Sequence, residues 1–305
     1  MTEMEPETQP QFLSARQSLP LDSTAELVTR IAAQLGSQLS HVRLNGSRKP
    51  MPTTVPAPTR PALVAVAHGS RDPRALRTVT ALLDLVRELR PGLDVRLGHI
   101  EIDEPALPAT LAGLGAGRAV LVPLLLSRGY HVKQDIPAAV ADAPRLRTRV
   151  ARPLGPHPLL VEALYERLVE AGWDDDPRAR GGAGVVLAGA GSRDPESAAD
   201  TRRTAAMLSE RLGGVPVVPA YASAAAPTVP EALRALAARG RHRVAIASYF
   251  TAPGRFATQS AAHARGVAAA PLGAHPAVAR LLLHRYDQAL TAAPFSAPHR
   301  ELATA

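Results

Sequence analysis

From residue 61 onward, short apolar runs alternate with amphipathic stretches. Ala62–Ala67 is an uninterrupted apolar run of strand length, and after Pro73 the residues Leu76, Val79, Leu82, Leu83, Val86 and Leu89 recur at helical spacing. The runs 95–102 and 119–126, with a stretch inside 146–154, predict further strands. Residues 105–114, the segment after Val132 and Pro158–Glu170 predict helices. Continuous apolar strands separated by helices are the pattern of an α/β fold whose mostly parallel sheet is covered on both faces.

The pattern occurs twice. Val64-Ala65-Val66-Ala67-His68-Gly69-Ser70-Arg71-Asp72-Pro73 is echoed by Val186-Leu187-Ala188-Gly189-Ala190-Gly191-Ser192-Arg193-Asp194-Pro195, and Gly155-Pro156-His157-Pro158 by Gly273-Ala274-His275-Pro276. In the second copy, 185–188, 215–220 and 244–248 predict strands, and 197–212, 229–238 and 276–290 predict helices. Two related domains, 61–173 and 184–292, are therefore expected, joined by a charged, Gly-rich linker over 174–183. Residues 1–60 differ in character, being rich in Ser, Gln, Thr and Pro. They are expected to form a disordered arm with one short helix over 21–35 and a Pro-rich extended linker, and 293–305 a tail.

Composition narrows the chemistry. The 305 residues include no cysteine, which excludes disulfides, thiolate-ligated zinc, iron–sulfur clusters and a thiol nucleophile. Aromatic residues make up only 3%, so the cores must be built from Ala, Val and Leu. Lys and Arg total 35 against 27 Asp and Glu, a formal charge of +8 that favours anionic partners. Glu3, Glu5 and Glu7 stand where a secretory leader would carry basic residues, and no apolar run approaches the roughly 20 residues that cross a bilayer. A cytoplasmic location with no membrane partner is expected. The ten Phe, Tyr and Trp residues do not interleave with the basic ones, so no specific nucleic-acid partner is expected either.

In parallel sheets, ligands bind beyond the carboxyl ends of the strands. His68 follows the first strand and opens a Gly69-Ser70-Arg71-Asp72-Pro73 turn, where Ser70 and Asp72 can satisfy turn amides or cap the next helix. His131 lies on a polar, Gly-containing connection after the third strand, so the two imidazoles can converge from separate strand ends. Between them Glu101, Asp103 and Glu104 close the second strand. Alternation would send Glu101 and Asp103 to one face. Glu101 and Glu104 are equal candidates for a pocket, Glu104 having a helix cap as its other reading, while Asp103 reads as structural. Two imidazoles with a carboxylate suit a borderline divalent metal, and imidazole also accepts protons near neutral pH. The second repeat places Ala190, Tyr221 and Ala226 where the first has His68, His99 and Glu104, and Arg255 takes the position of His131. Arg255 is either a fixed positive charge for an anionic ligand or an ordinary solvated arginine. His157 and His275 recur in both copies, which points to a structural turn at the start of the last helix.

The residues Val66-Ala67-His68-Gly69-Ser70-Arg71, Glu101-Ile102-Asp103-Glu104-Pro105 and Pro123-Leu124-Leu125-Leu126-Ser127-Arg128-Gly129-Tyr130-His131-Val132-Lys133-Gln134-Asp135-Ile136-Pro137 together resemble the class II tetrapyrrole chelatases, the sirohydrochlorin cobaltochelatase and ferrochelatase family. The resemblance spans about 61–292. It implies tandem chelatase-like domains enclosing a cleft, with Fe²⁺ or Co²⁺ inserted into sirohydrochlorin and two pyrrolic protons released. His68 and His131 become the metal-binding and proton-accepting residues, and Glu101 or Glu104 the group that guides metal or relays protons. Ser70, Arg71, Arg128, Lys133 and Arg255 become candidates for contacting the substrate's carboxylates. The metal is a substrate, and no permanently bound cofactor is implied. The second copy lacks both histidines, so one catalytic centre per chain and a monomer formed by intrachain domain pairing are expected. A metal or tetrapyrrole carrier, a nucleic-acid-binding module and a phosphatase or isomerase using His68 are the competing readings.

Overall fold

The computed structural model describes residues 60–174, 176–292 and 295. The expected arm before Arg60, its helix over 21–35 and the tail apart from Phe295 lie outside the described residues. Among the described residues two all-parallel sheets form. In the first lobe, β1 (Ala62–Ala67), β2 (Val95–His99), β3 (Gly117–Pro123) and β4 (Leu146–Val150) take the order β2-β1-β3-β4. In the second, β5 (Ala183–Gly189), β6 (Val217–Tyr221) and β7 (Arg243–Tyr249) take the order β6-β5-β7. A single parallel bridge between Ile246 and Ala268 stands where the second lobe would have its fourth strand. The central strands β1 and β5 are buried at every position, as their unbroken apolar sequences require of a sheet covered on both faces.

The first lobe carries α1 (Pro73–Leu89), α2 (Leu107–Leu114), α3 (Tyr130–Lys133), α4 (Asp135–Ala141) and α5 (Pro158–Glu170). A 3-10 turn over Pro177–Gly182 occupies the expected linker, followed by α6 (Pro195–Arg211), α7 (Val229–Ala237), α8 (Arg255–Ala261) and α9 (Pro276–Thr291). The repeated Ser-Arg-Asp-Pro motif starts α1 and α6 in the same way. Asp72 accepts the N–H of Arg74 and Asp194 that of Glu196, each with Pro at the first helical position. Of the α1 face expected from periodicity, Val79, Leu82, Leu83 and Val86 are buried, whereas Leu76 and Leu89 towards its two ends are exposed.

Several element boundaries differ from the expectation, three of them beside the strand ends of the first lobe. β2 stops at His99 instead of continuing to residue 102, because it is an edge strand whose partner β1 ends at Ala67, the residue paired with His99; Ile102 beyond it is left-handed, with φ 70°. The following helix begins at Leu107, and β3 ends at Pro123, where its partner β1 also runs out.

The last helix of each repeat crosses to the other lobe. α9 packs on α1, β3 and α5, whereas α5 packs on α6 and β7. One apolar core therefore runs through both lobes, from Leu63 and Val122 through Leu160 and Tyr286 to Val185 and Leu208. Polar groups fasten the exchange: the Tyr286 hydroxyl donates to Pro61 O at 2.6 Å, Arg285 to Leu154 O at 3.0 Å, and Arg167 to Leu272 O at 2.9 Å. Arg90 pairs with Asp287 through two contacts of 2.5 and 2.8 Å.

His157 and His275 are the N-caps of these exchanged helices. Each Nδ1 accepts a backbone N–H, from Leu159 and Ala277 respectively, at 3.1 Å. The capping role requires a neutral ring. Burial pushes His157 down to about 4, helped by the positive charge of Arg285. Burial also lowers His275, opposed by Glu166, which lies 2.9 Å from its Nε2. Unfolded histidine titrates near 6.5, so between that pH and about 4 the unfolded chain binds protons that the folded chain refuses. Stability is therefore fully present above pH 6.5 and falls as the solution is acidified. Urea unfolding from pH 6.5 to 4.5 should show a loss of about 0.5–1 kcal/mol per pH unit from His157 after allowance for solvent screening. His157→Asn, which keeps an acceptor at the cap, should flatten that slope; an unchanged slope would remove His157 as its source.

Candidate metal centre

Because β1 lies between β2 and β3, the loops leaving three adjacent parallel strands open on one rim. β1 delivers His68, β2 the turn with Glu101, and β3 the segment leading to His131. The first two loops are knitted together: Ile100 N–H donates to Ala67 O and Glu101 N–H to His68 O, both at 2.9 Å. Gly69, at φ 101°, passes so close beneath the Glu101 carbonyl that an added Cβ would lie 1.9 Å from its oxygen.

Ligand atoms of His68, Glu101 and His131 all fall within 4.8 Å of one another. The two imidazoles meet edge to face, with ring centroids 4.6 Å apart and planes at 88°. His68 and Glu101 are exposed and His131 is half-buried, so the cluster is open on one side. Two nitrogen donors and one carboxylate form a coherent ligand set for Fe²⁺, Co²⁺ or a similar cation, with room for exchange. The Nδ1 of His131 lies 2.5 Å from Asp135 Oδ2 one helical turn on, which leaves Nε2 for a ligand.

Other sequence candidates are placed differently. Glu104 does not join the cluster; its Oε2 accepts the Ala106 N–H at 2.8 Å and supplies an acceptor at the start of α2. Alternation does not govern Glu101 and Asp103, because residues 100–105 form bends instead of strand. Asp103 is structural, as expected: its Oδ2 accepts the Ser70 N–H at 2.8 Å, and Ser70 Oγ accepts the Asp72 N–H at 3.1 Å.

Arg128 and Lys133 are ion-paired to the second lobe, Arg128 at the wall of the cleft and Lys133 away from its lining. Arg128 forms a fork with Asp200, at 2.9 Å from Nε and 2.7 Å from the terminal nitrogen, and also reaches Glu196 at 2.5 Å. Lys133 lies 2.6 Å from both Asp194 and Glu196. Burial raises the Asp200 carboxyl, but the Arg128 guanidinium outweighs it and holds the group below the usual carboxylate range. Hydrogen bonds to Asp194 and Glu196 raise the Lys133 ammonium. Ser127 Oγ with Ser197 Oγ at 2.8 Å, and the Tyr249 hydroxyl donating to Leu126 O at 2.8 Å, complete a clamp on the segment that carries His131.

Ser70, Arg71 and Arg255 line a cleft of about 1130 Å³ between the lobes, together with His68 and His131. Arg255 is not the counterpart of His131. Gly129 and Gly254 are the matching N-caps of α3 and α8, so Tyr130 corresponds to Arg255 and His131 to Phe256. The second lobe keeps the backbone of the centre without its chemistry. Gly191 sits at φ 93° beneath Ser223 O as Gly69 does beneath Glu101 O, but Ala190, Ser223 and Phe256 stand where the first lobe has His68, Glu101 and His131.

Residue-level reading missed Asp135 and the acidic partners Asp194, Glu196 and Asp200. The i, i+4 spacing of His131 and Asp135 was a usable signal for the first. The others lie about 70 positions away and carry no local signal.

The CbiX family model matches residues 62–171 and again 184–289. A sirohydrochlorin ferrochelatase of Bacillus subtilis (strain 168) is 29% identical over 177 residues, covering 56% of this chain and 66% of the relative. A sirohydrochlorin cobaltochelatase of Priestia megaterium is 28% identical over 196 residues, covering 62% and 63%. The chain thus spans just under two thirds of the length of these relatives. Among solved structures, SirB from Bacillus subtilis with Fe3+ aligns with a TM-score of 0.63 and 26% identity over 75% of this chain and 95% of that one.

Proposed function

Because this chain belongs to the CbiX family, we propose that it inserts Fe²⁺ or Co²⁺ into sirohydrochlorin. The two metal–nitrogen bonds that replace pyrrolic N–H bonds release two protons, so the divalent ion enters without any change of oxidation state. The observation that carries this reading is the convergence of His68, Glu101 and His131 on one open face of the interlobe cleft. His68 and His131 hold the incoming cation weakly and accept the departing protons. Glu101 compensates part of the cation's charge as it loses water. Arg71 and Arg255 attract the carboxylates of the macrocycle, Ser70 holds its turn at the rim, and the second lobe supplies the other wall. A single centre per chain, a monomer and a cytoplasmic location belong to the same proposal.

The test is an oxygen-free incubation of the protein with sirohydrochlorin and either metal at matched free concentration. Spectral conversion faster than the uncatalysed reaction supports a chelatase, and the ratio of the two rates assigns iron or cobalt. Stoichiometric binding without acceleration would make the protein a carrier instead.

Asp135 belongs to this reading as the positioning residue of His131. A carboxylate on the far nitrogen fixes the tautomer and orientation of a ligating imidazole. Asp135→Ala should weaken Co²⁺ binding about 10- to 100-fold in a titration without tetrapyrrole, while Asp135→Glu recovers part of it. Unchanged affinity in Asp135→Ala would show that the contact has no part in metal binding.

A further inference from the structure

Half of the large apolar side chains that stand well exposed among the described residues line one surface, the cleft that holds the metal centre. These are Leu76, 37% exposed, Ile102, 57%, and Tyr130, 66%. Two of them adjoin the ligand-bearing residues directly, Ile102 following Glu101 and Tyr130 preceding His131. Ile102 is the unusual member. Its φ of 70° is a conformation that glycine or asparagine adopts readily and a β-branched residue does not. Its counterpart in the second lobe, Ala224, has the same left-handed backbone at φ 56°. There, where no ligand-bearing residues surround it, the side chain is a single methyl.

We infer that Ile102 is a substrate-contacting residue whose side chain seats the apolar face of the tetrapyrrole beside Glu101. The inference rests on the proposed function and extends it to a residue that neither holds metal nor carries charge. A strained, solvent-exposed isoleucine lowers the stability of the free protein, and the arrangement has a physical purpose once a broad apolar surface covers it. The macrocycle supplies such a surface: its carboxylates lie at the periphery, where Arg71 and Arg255 are, while its ring faces are apolar. Tyr130 and Leu76 extend the same apolar rim.

Strain and contact predict opposite signs for one substitution. Ile102→Gly should raise the thermal unfolding midpoint by about 2 °C or more, because the backbone conformation becomes unstrained. The same variant should weaken sirohydrochlorin binding at least fivefold, measured by fluorescence titration without metal. Co²⁺ affinity, titrated without tetrapyrrole, should stay within twofold of the parent. Ile102→Val, which keeps a branched apolar side chain, should retain most of the tetrapyrrole affinity. Unchanged sirohydrochlorin binding in Ile102→Gly would overturn the inference. So would a parallel loss of Co²⁺ affinity, which would mean that the residue only positions Glu101. If the parent protein binds sirohydrochlorin but does not accelerate insertion, the chelatase reading fails while the contact is still tested. If the parent does not bind it at all, both fail.

Discussion

His68→Ala should slow metal insertion by about 100-fold or more while leaving the urea unfolding curve nearly unchanged. The loss follows from the geometry and the proposed reaction: one of only two imidazoles in the cluster disappears, and with it a proposed metal ligand and proton acceptor. Folding is spared because His68 is exposed and its Nδ1 makes only a 3.3 Å contact with the neighbouring Gly69 carbonyl. Exposed substitutions of this kind usually change stability by less than about 0.5 kcal/mol. His131→Ala should produce a comparable loss of rate. Initial insertion rates for both variants, read against unfolding curves of the same preparations, decide the matter. Near-parent rates in both would remove the proposed centre, whatever the fold.

Gly69→Ala and Gly191→Ala should destabilise the protein by similar amounts, about 1–3 kcal/mol, yet only the first should slow metal insertion severely. In each case the added Cβ would stand 1.9 Å from a backbone carbonyl oxygen, of Glu101 in one lobe and Ser223 in the other, at a φ of 101° or 93°. The turn above must move. In the first lobe that turn carries Glu101 and is hydrogen-bonded to the His68 carbonyl, so displacement spreads the ligand set. A shift near 1 Å in a reacting constellation costs about 100-fold in rate. In the second lobe the same displacement moves Ser223, which carries no metal-binding chemistry. Equal losses of insertion rate in the two variants, measured where both remain folded, would mean that the second lobe's turn also takes part.

Much of this was legible in residue order. The alternation of apolar runs and amphipathic stretches identified the strands and most helices, since a parallel sheet buried on both faces imposes unbroken apolar strands. The convergence of His68 and His131 followed from connectivity: β1 and β3 are neighbours, and their loops leave from the same edge. The recurrence of His157 and His275 before a proline pointed to a structural turn at the start of the last helix; the structure makes them its N-caps.

Other features were not legible, for identifiable reasons. Residue order did not show that Arg128 and Lys133 are ion-paired, because a positive side chain near a cleft says nothing about where its counter-charge lies. Asp194, Glu196 and Asp200 reach them only because the start of α6 packs against the His131 segment. Glu104 and Glu101 were equivalent on paper. The chain's turn sends Glu104 to the unpaired N–H of Ala106 and Glu101 to the histidines.

The chain by itself determined the repeated α/β architecture, the absence of thiol chemistry and the lack of imidazole equivalents of His68 and His131 in the second copy, because these depend on periodicity and residue type alone. Only the tertiary structure decided that the final helices exchange lobes, that one core serves both, and that the second copy's acidic helix start holds the His131 segment. An amphipathic face specifies that a helix is buried but not against which sheet, and a charge specifies attraction but not a partner. Those choices arise only when distant segments compete for the same surface.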